Sequence, residues 1–299
     1  MTWVDRLSCA LWDAGWRWGP RLLRSRRTRD RLAAAGSRLA TGPLAPGVAV
    51  RHLKQWQRNV TIATGRRPEQ EEMAAAVRSY LRMVTESFVL PAWTPTETVA
   101  AVSTDPVGER RLREAVAGGR AVVALPHIGS WDHAGAWACA TGMPVSTVAE
   151  QLGPAEFAAF RRYREGLGLR VYSHREPAVL RALGSDLAAG RLVCLVADRS
   201  FGGNGVPVGW PAPSGPVPVR VPAGPALLAR RHQALLIGVS ARFTRTGIHL
   251  GFSEPVEHCP GSDGLVAMTQ QLTDFFAAEV ARCPSDWHVF QPFFPEEQR

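Results

Sequence analysis

His127 and Asp132 stand five residues apart in the stretch V-V-A-L-P-H-I-G-S-W-D-H-A-G-A-W-A-C (residues 122–139), and together they have the parts of a general base. An imidazole accepts a proton near neutral pH when a carboxylate fixes its tautomer and stabilises the imidazolium that forms. Such a pair can activate a hydroxyl with no covalent protein intermediate. A serine-hydrolase reading is weaker, since Ser130 sits in G-S-W-D and the G-x-S-x-G nucleophile elbow is absent.

The elements that must position the pair follow from composition. Residues 122–125 are an uncharged, β-rich run that predicts a buried strand, and residues 131–140 are Ala-rich and Pro-free, which predicts a helix. Residues 126–130 are then a strand-to-helix turn, with Gly129 allowing close backbone approach and Ser130 as N-cap. Open α/β sheets expose the carboxyl ends of their strands at such turns, so His127 is expected to face a cleft. Asp132 falls in the first helical turn, from which its carboxylate is expected to reach back to one ring nitrogen and leave the other free.

The 299 residues, 45% hydrophobic, suffice for one large domain plus a small extension. We place a basic helical extension at residues 1–65, with possible membrane contact, and an α/β domain at 66–299. Residues 1–60 hold eleven Arg and the single Lys against Asp5, Asp13 and Asp30, a net +9 that equals the charge of the whole chain. Basic segments serve nucleic acid, anionic lipid or solubility. No zinc-finger, helix-turn-helix, RNP or KH signature accompanies this one, which argues against nucleic acid. Five cysteines, Cys9, Cys139, Cys194, Cys259 and Cys283, are scattered and never in C-x-x-C, the pattern of a reducing compartment with neither disulfides nor a metal site. Asp5 and Arg6 interrupt the place of a signal-peptide core, and no run is long and apolar enough to span a bilayer. A cytosolic or peripheral protein is expected.

Residues 3–18 predict a helix with Trp3, Leu7, Leu11, Ala14 and Trp18 on one arc and Trp12 and Trp16 opposite, followed by the basic run at residues 21–29. This helix can dock on the core or lie in a membrane interface. Residues 36–47, with Pro43 and Pro46, read as a loop, and 50–64 as a short helix. Pro68, Glu69, Glu71 and Glu72 open a clearer helix in which Met73, Val77, Tyr80, Leu81, Val84 and Phe88 repeat at helical spacing, the pattern of core packing. From Glu109 onward helices and strands alternate, which predicts an α/β sheet, parallel at first, with an antiparallel return near the C-terminus.

Other charged candidates sit where predicted strands or helices end. Glu150 follows one strand, Asp198 and Arg199 follow another, and Arg164 closes a helix just before Gly166 and Gly168. Together they predict an arginine-bearing rim of the kind that phosphate-bearing substrates need. Residues 201–225, crowded with Gly and Pro, read as a long loop over the cleft, with G-G-N-G at 202–205 as turn chemistry rather than a phosphate loop.

The ordered series H-x4-D after an apolar strand, A-D-R after a later one, R-V-P-A-G-P-A-L-L-A, and D-W-H-V-F-Q-P at residues 286–292 resembles the bacterial lipid A lauroyl and myristoyl acyltransferase superfamily. In length and Arg-rich character it is most similar to the actinobacterial phosphatidylinositol mannoside acyltransferases. The resemblance spans roughly residues 3–292. It implies a glycerol-phosphate-acyltransferase-like α/β fold, a mixed sheet flanked by helices, and a peripheral location on the cytoplasmic face of the inner membrane. It implies fatty acyl transfer from a thioester, acyl-CoA or acyl carrier protein, to a glycolipid hydroxyl, with no cofactor beyond the donor. His127 would be the base and Asp132 its partner; Arg164 and His288 match positions for acceptor binding or site support, and Glu150, Asp198 and Arg199 are further substrate-binding candidates. Such relatives carry an extra carboxylate near the histidine from the loop after A-D-R, and here that loop has none. Either Asp198 takes that part or the acceptor differs, as in a specialised pathway that acylates a hydroxyl or amine of a metabolite. The alternative of another class is a lipid-binding protein that keeps the fold without the chemistry.

Overall fold

Short apolar runs rich in Val, Leu and Ala form the centre of the molecule, because strands buried on both faces need no polar alternation. The structure, a computed structural model, describes residues 3–295 except 152, 201–204 and 262; in residues 3–11 and 13 it describes the backbone alone. The expected arc of Trp3, Leu7 and Leu11 and most of the G-G-N-G turn lie outside the described side chains and residues. Four helices come first: α1 (Trp3–Leu22), α2 (Arg26–Thr41), α3 (Gly47–Thr64) and α4 (Gln70–Val89). The alternating part follows as α5 (Pro95–Ala100), β1 (Val102–Thr104), α6 (Pro106–Ala117), β2 (Ala121–Leu125), α7 (Trp131–Ala140), β3 (Val145–Ala149), α8 (Pro154–Gly166), β4 (Arg170–Ser173), α9 (Val179–Ala188) and β5 (Leu192–Val196). The chain ends with β6 (Val206–Trp210), β7 (Val217–Val221), α10 (Gly224–His232), β8 (Leu235–Phe243), β9 (Ile248–Phe252) and α11 (Gly264–Arg282).

Seven strands form one sheet in the order β1-β9-β8-β2-β5-β3-β4, parallel at every pairing except β8 with β9. The alternation and the antiparallel return are as the sequence predicts. Side chains of period two divide the sheet between two cores. Val122, Ala124, Val193, Leu195 and Leu236 pack with α3, α9, α10 and α11 on one face. Val123, Leu125, Val145, Leu192 and Val239 face α6 and α7 on the other.

Two expected loops are corrected. Helix α2 runs on to Thr41, through the predicted loop start at Gly36. A Cβ on Gly36 would lie 2.5 Å from Leu81 Cδ1, so the glycine serves a close crossing of α2 over α4 rather than a turn. The long loop expected at 201–225 contains the antiparallel ribbon β6–β7, in register from Val206↔Val221 to Trp210↔Val217. Its V-P-V-G-W and V-P-V-R-V segments alternate, and β7 buries Val217, Val219 and Val221 while exposing Pro218 and Arg220. Trp210, fully buried and stacked on Trp287, anchors the ribbon to the core.

In the segment 1–65, α3 buries Trp56 and Val60 completely. Helix α1 meets α4 through Gly15 and Gly19, where an added Cβ would strike Phe88, and Trp12 and Trp16 pack against Phe88 and Phe160. Trp18, Leu22, Leu32, Leu39 and Leu44 are exposed nearby. Not all the basic run faces outward: Arg29 is buried and donates to the carbonyls of Leu23 and Arg24 at the end of α1. Among the described residues no helix is long and apolar enough to cross a membrane.

Candidate active site

The turn after β2 is sewn down from two sides. Gly129, at φ 62°, lets the backbone come so close to β8 that a Cβ there would lie 1.9 Å from the Ala241 carbonyl oxygen, so no other residue fits. Its N–H donates to the Asp286 carbonyl at 2.9 Å, the Ser130 N–H to the Ala241 carbonyl at 3.1 Å, and the His288 N–H to the His127 carbonyl at 2.8 Å. Ser130 caps α7 as expected, its Oγ accepting from the His133 N–H.

His127 lies beside Asp198 because β2 and β5 are parallel neighbours in register, Leu125 opposite Val196, and each residue stands two positions beyond its strand. His127 Nδ1 is hydrogen-bonded to Asp198 Oδ1. Asp198 Oδ2 accepts from the His127 N–H and from Trp287 Nε1, both at 3.0 Å. The carboxylate is fully buried. Burial alone would raise its pKa, but His127 and these donors outweigh it and hold Asp198 below the usual carboxylate range. The expected bond between His127 and Asp132 does not form. Asp132 instead accepts from Arg164 Nε at 2.7 Å and Nη2 at 3.5 Å. The local offset of five residues loses to a neighbouring strand that delivers a carboxylate at the same height, and α8 brings the guanidinium that claims Asp132. Burial would lower the Arg164 pKa, yet Asp132's charge and hydrogen bond raise it, so the guanidinium keeps its charge.

The remaining candidates gather on the same side. Glu150 Oε2 is 4.0 Å from Arg199 Nη2, both near the mouth of one cavity. His288 is 7% exposed, its Nε2 lies 2.9 Å from Ser79 Oγ, and Ser79 Oγ lies 2.6 Å from Asp286 Oδ1. Burial, with a smaller contribution from His127, pushes the His288 pKa down to about 3, so the ring is neutral. Ser79 carried no signal of its own in the sequence, while Asp286 lay within the quoted D-W-H-V-F-Q-P stretch without a role.

The cavity holds about 520 Å³. His127, Asp132, Glu150, Arg164, Arg199 and His288 line it together with apolar residues from α7 and the sheet, among them Val123, Leu125, Val145, Leu192, Trp137 and Phe252. Tyr80, Met83 and Val84 of α4 line it too, so the helix expected to be plain packing forms a wall of the site. Burial, reinforced by Cys139, pushes the Cys194 thiol of the cavity well up, which keeps it from acting as a thiolate nucleophile. Among the described residues no cluster of His, Cys, Asp and Glu could hold a metal ion.

The α/β fold is that of an acyltransferase. The family model described as bacterial lipid A biosynthesis acyltransferase matches residues 28–295, and the chain belongs to that family. It is 34% identical over 289 residues to the phosphatidylinositol mannoside acyltransferase of Mycolicibacterium smegmatis, covering 94% of this chain and 90% of the relative. It is also 37% identical over 225 residues to the protein of that name from Mycobacterium tuberculosis, covering 74% of this chain and 69% of the relative.

Proposed function

We propose that the protein transfers a fatty acyl group from an acyl thioester, acyl-CoA in the simplest case, to a hydroxyl of a glycolipid such as a phosphatidylinositol mannoside. The observation that carries this reading is the placement of His127, hydrogen-bonded to the buried Asp198, on a cavity whose lining is otherwise largely apolar. Water-excluding walls suit an alkyl chain, at roughly 0.8 kcal/mol per buried methylene, and a polar mouth suits the thioester and the acceptor. The relatives' names supply the class of acceptor.

In this mechanism Asp198 takes the part first given to Asp132. It accepts Nδ1–H, leaving Nε2 to remove the proton of the acceptor hydroxyl as its oxygen attacks the thioester carbonyl. The C–O bond forms, the tetrahedral oxyanion collapses, the C–S bond breaks, and the thiolate recovers the proton from the imidazolium. The N-terminus of α7 adjoins the turn and favours the oxyanion electrostatically. Arg164, oriented by Asp132, and Arg199, beside Glu150, serve the anionic parts of the substrates. The exposed Trp18 and Leu22, with the exposed Arg17, Arg21, Arg24, Arg27 and Arg31 around them, fit docking on the anionic cytoplasmic face of the membrane.

Incubation of purified protein with palmitoyl-CoA and a phosphatidylinositol mannoside, following thiol release and acylated lipid together, tests the reading. Both products appear if it is right. Binding of palmitoyl-CoA without release of thiol identifies a lipid-binding protein instead.

A further inference from the structure

The cavity lining falls into two apolar sets, with the Asp132–Arg164 pair between them. One set belongs to α7 and the sheet, where Trp137 and Ala138 lie. The other comes from three helices: Trp12 of α1, Met83, Val84 and Ser87 of α4, and Phe157 and Phe160 of α8. The rings of Trp12 and Phe160 meet with centroids 4.8 Å apart. The Arg164 guanidinium stands 5.9 Å from the Phe160 ring while it holds Asp132 of α7, which puts the ion pair at the junction of the two sets. Phe157, Phe160 and Arg164 share one face of α8 because they recur at spacings of three and four.

The second set has no polar group to offer a ligand. Ser87 Oγ, the hydroxyl among its residues, gives its hydrogen to the Val84 carbonyl at 2.7 Å. A sugar or a phosphate buried there would lose its hydrogen bonds to water and gain none, whereas an alkyl chain loses nothing. Helix α1 is the wall that can admit one. Its Trp16 stacks on Tyr163 of α8 with centroids 5.5 Å apart, yet Trp16 Nε1 and Tyr163 Oη are buried without a hydrogen-bond partner among the described residues. Two buried donors left unpaired weaken the seat of α1 on α8. The same helix exposes Trp18 and Leu22, so it closes the cavity with Trp12 and meets the surroundings one and a half turns further on.

We propose that the set formed by α1, α4 and α8 is a second alkyl site, which takes one fatty chain of the acceptor lipid as it enters under α1, while the set on α7 and the sheet holds the chain of the thioester. The assignment rests on the acyl-transfer reading and extends it. The acceptor is gripped by a tail as well as by its headgroup, and the reaction takes place on a lipid partly withdrawn from the bilayer. An acceptor with chains is then preferred to the same headgroup without them.

The site is tested directly in the full-length wild-type protein with lysophosphatidylinositol that carries a diazirine at the end of its acyl chain. A thioether analogue of palmitoyl-CoA is present to occupy the donor site. After illumination, peptide mass spectrometry should find the label at or beside Trp12, Met83 or Phe160. Label on α7 or the sheet, or label displaced by the thioether, would show one alkyl site shared by both ligands and overturn the proposal. Val84→Trp, which fills the second set, should remove most of the label. Kinetics with palmitoyl-CoA then compare a diacyl phosphatidylinositol mannoside with its deacylated form. In the wild type the deacylated acceptor should have a KM roughly tenfold higher or more, the effect of burying two or more methylenes. In Val84→Trp the gap should close because the KM of the diacyl acceptor rises. A gap that this variant leaves intact would reflect only the gathering of a lipid at the membrane and overturn the proposal, as would equal KM values in the wild type. Absence of transfer to either acceptor would fail the parent reading, while the labelling would still decide the site.

Discussion

Asp198 stands beside His127 because two parallel strands in register end at the same height, while Asp132, the carboxylate nearer in sequence, is held by Arg164. The histidine's orientation is thus a property of the sheet, and the i to i+5 carboxylate orients an arginine. Replacing each member therefore separates their roles.

His127→Ala and Asp198→Asn should each lower the rate of thiol release from palmitoyl-CoA by roughly a hundred- to ten-thousand-fold, the range for removing a general base or its tautomer-setting partner. Asp132→Asn should cost less in the same assay. Equal losses for Asp132→Asn and Asp198→Asn, in proteins with unchanged melting temperature, would return the partner role to Asp132.

Arg164→Ala should impair transfer to the glycolipid acceptor more than thioester hydrolysis by water, since water has no anionic group to position. Its coupling to Asp132 predicts that the double variant Asp132→Asn, Arg164→Ala is little worse than the poorer single variant. Additive losses in the cycle would show that the two residues act separately.

His288 gives the protein a pH-dependent stability with a definite sign. Its folded-state pKa of about 3 lies below the ordinary 6.5, so as pH falls the unfolded chain takes up the proton first. Stability from this group is complete above pH 6.5 and declines as pH falls toward 3, by up to several kcal/mol. Thermal melts between pH 7 and pH 4 should fall more steeply for the wild type than for His288→Gln. Parallel slopes would show that the ring is not kept neutral by its surroundings.

Ala138 lines the cavity from α7 and is buried against the sheet, so Ala138→Phe should shorten the acyl chain that fits. Thiol release across acyl-CoA donors of eight to eighteen carbons, expected to favour the longer ones in the wild type, should shift toward the shorter. An unchanged length profile would place the chain elsewhere.

Removal of residues 1–30 should abolish most binding to anionic phosphatidylglycerol vesicles, and Trp18→Ala with Leu22→Ala should remove the part that salt does not screen. Basic residues near the surface contribute about 1 kcal/mol each within a screening length of about 8 Å. Co-sedimentation over a salt series decides it; equal binding by the truncated protein would move the membrane contact to another face.

What could be read in the sequence was local. The run at 122–125, the turn at His127 and the N-cap at Ser130 each follow from residues within ten positions of one another, and the structure has them all. Asp198 was visible as a strand-end carboxylate, but its pairing depends on β2 and β5 being neighbours, which alternation alone does not specify. Ser79 and His288 are 209 residues apart, and nothing in α4's core periodicity marks one serine for a polar task. The ribbon β6–β7 was hidden by its own Pro and Gly, residues that punctuate loops and that an isolated two-stranded element tolerates at its edges.

Trp287 has a consequence in time as well as in space. It donates to Asp198, 89 residues earlier, its carbonyl accepts from Trp56, 231 residues earlier, and its backbone bridges Ile128. At roughly 5–20 residues per second, synthesis leaves Asp198 without this support for on the order of ten seconds. A growing chain therefore carries His127 and the cavity's strands well before Trp287 emerges to hold Asp198 in place.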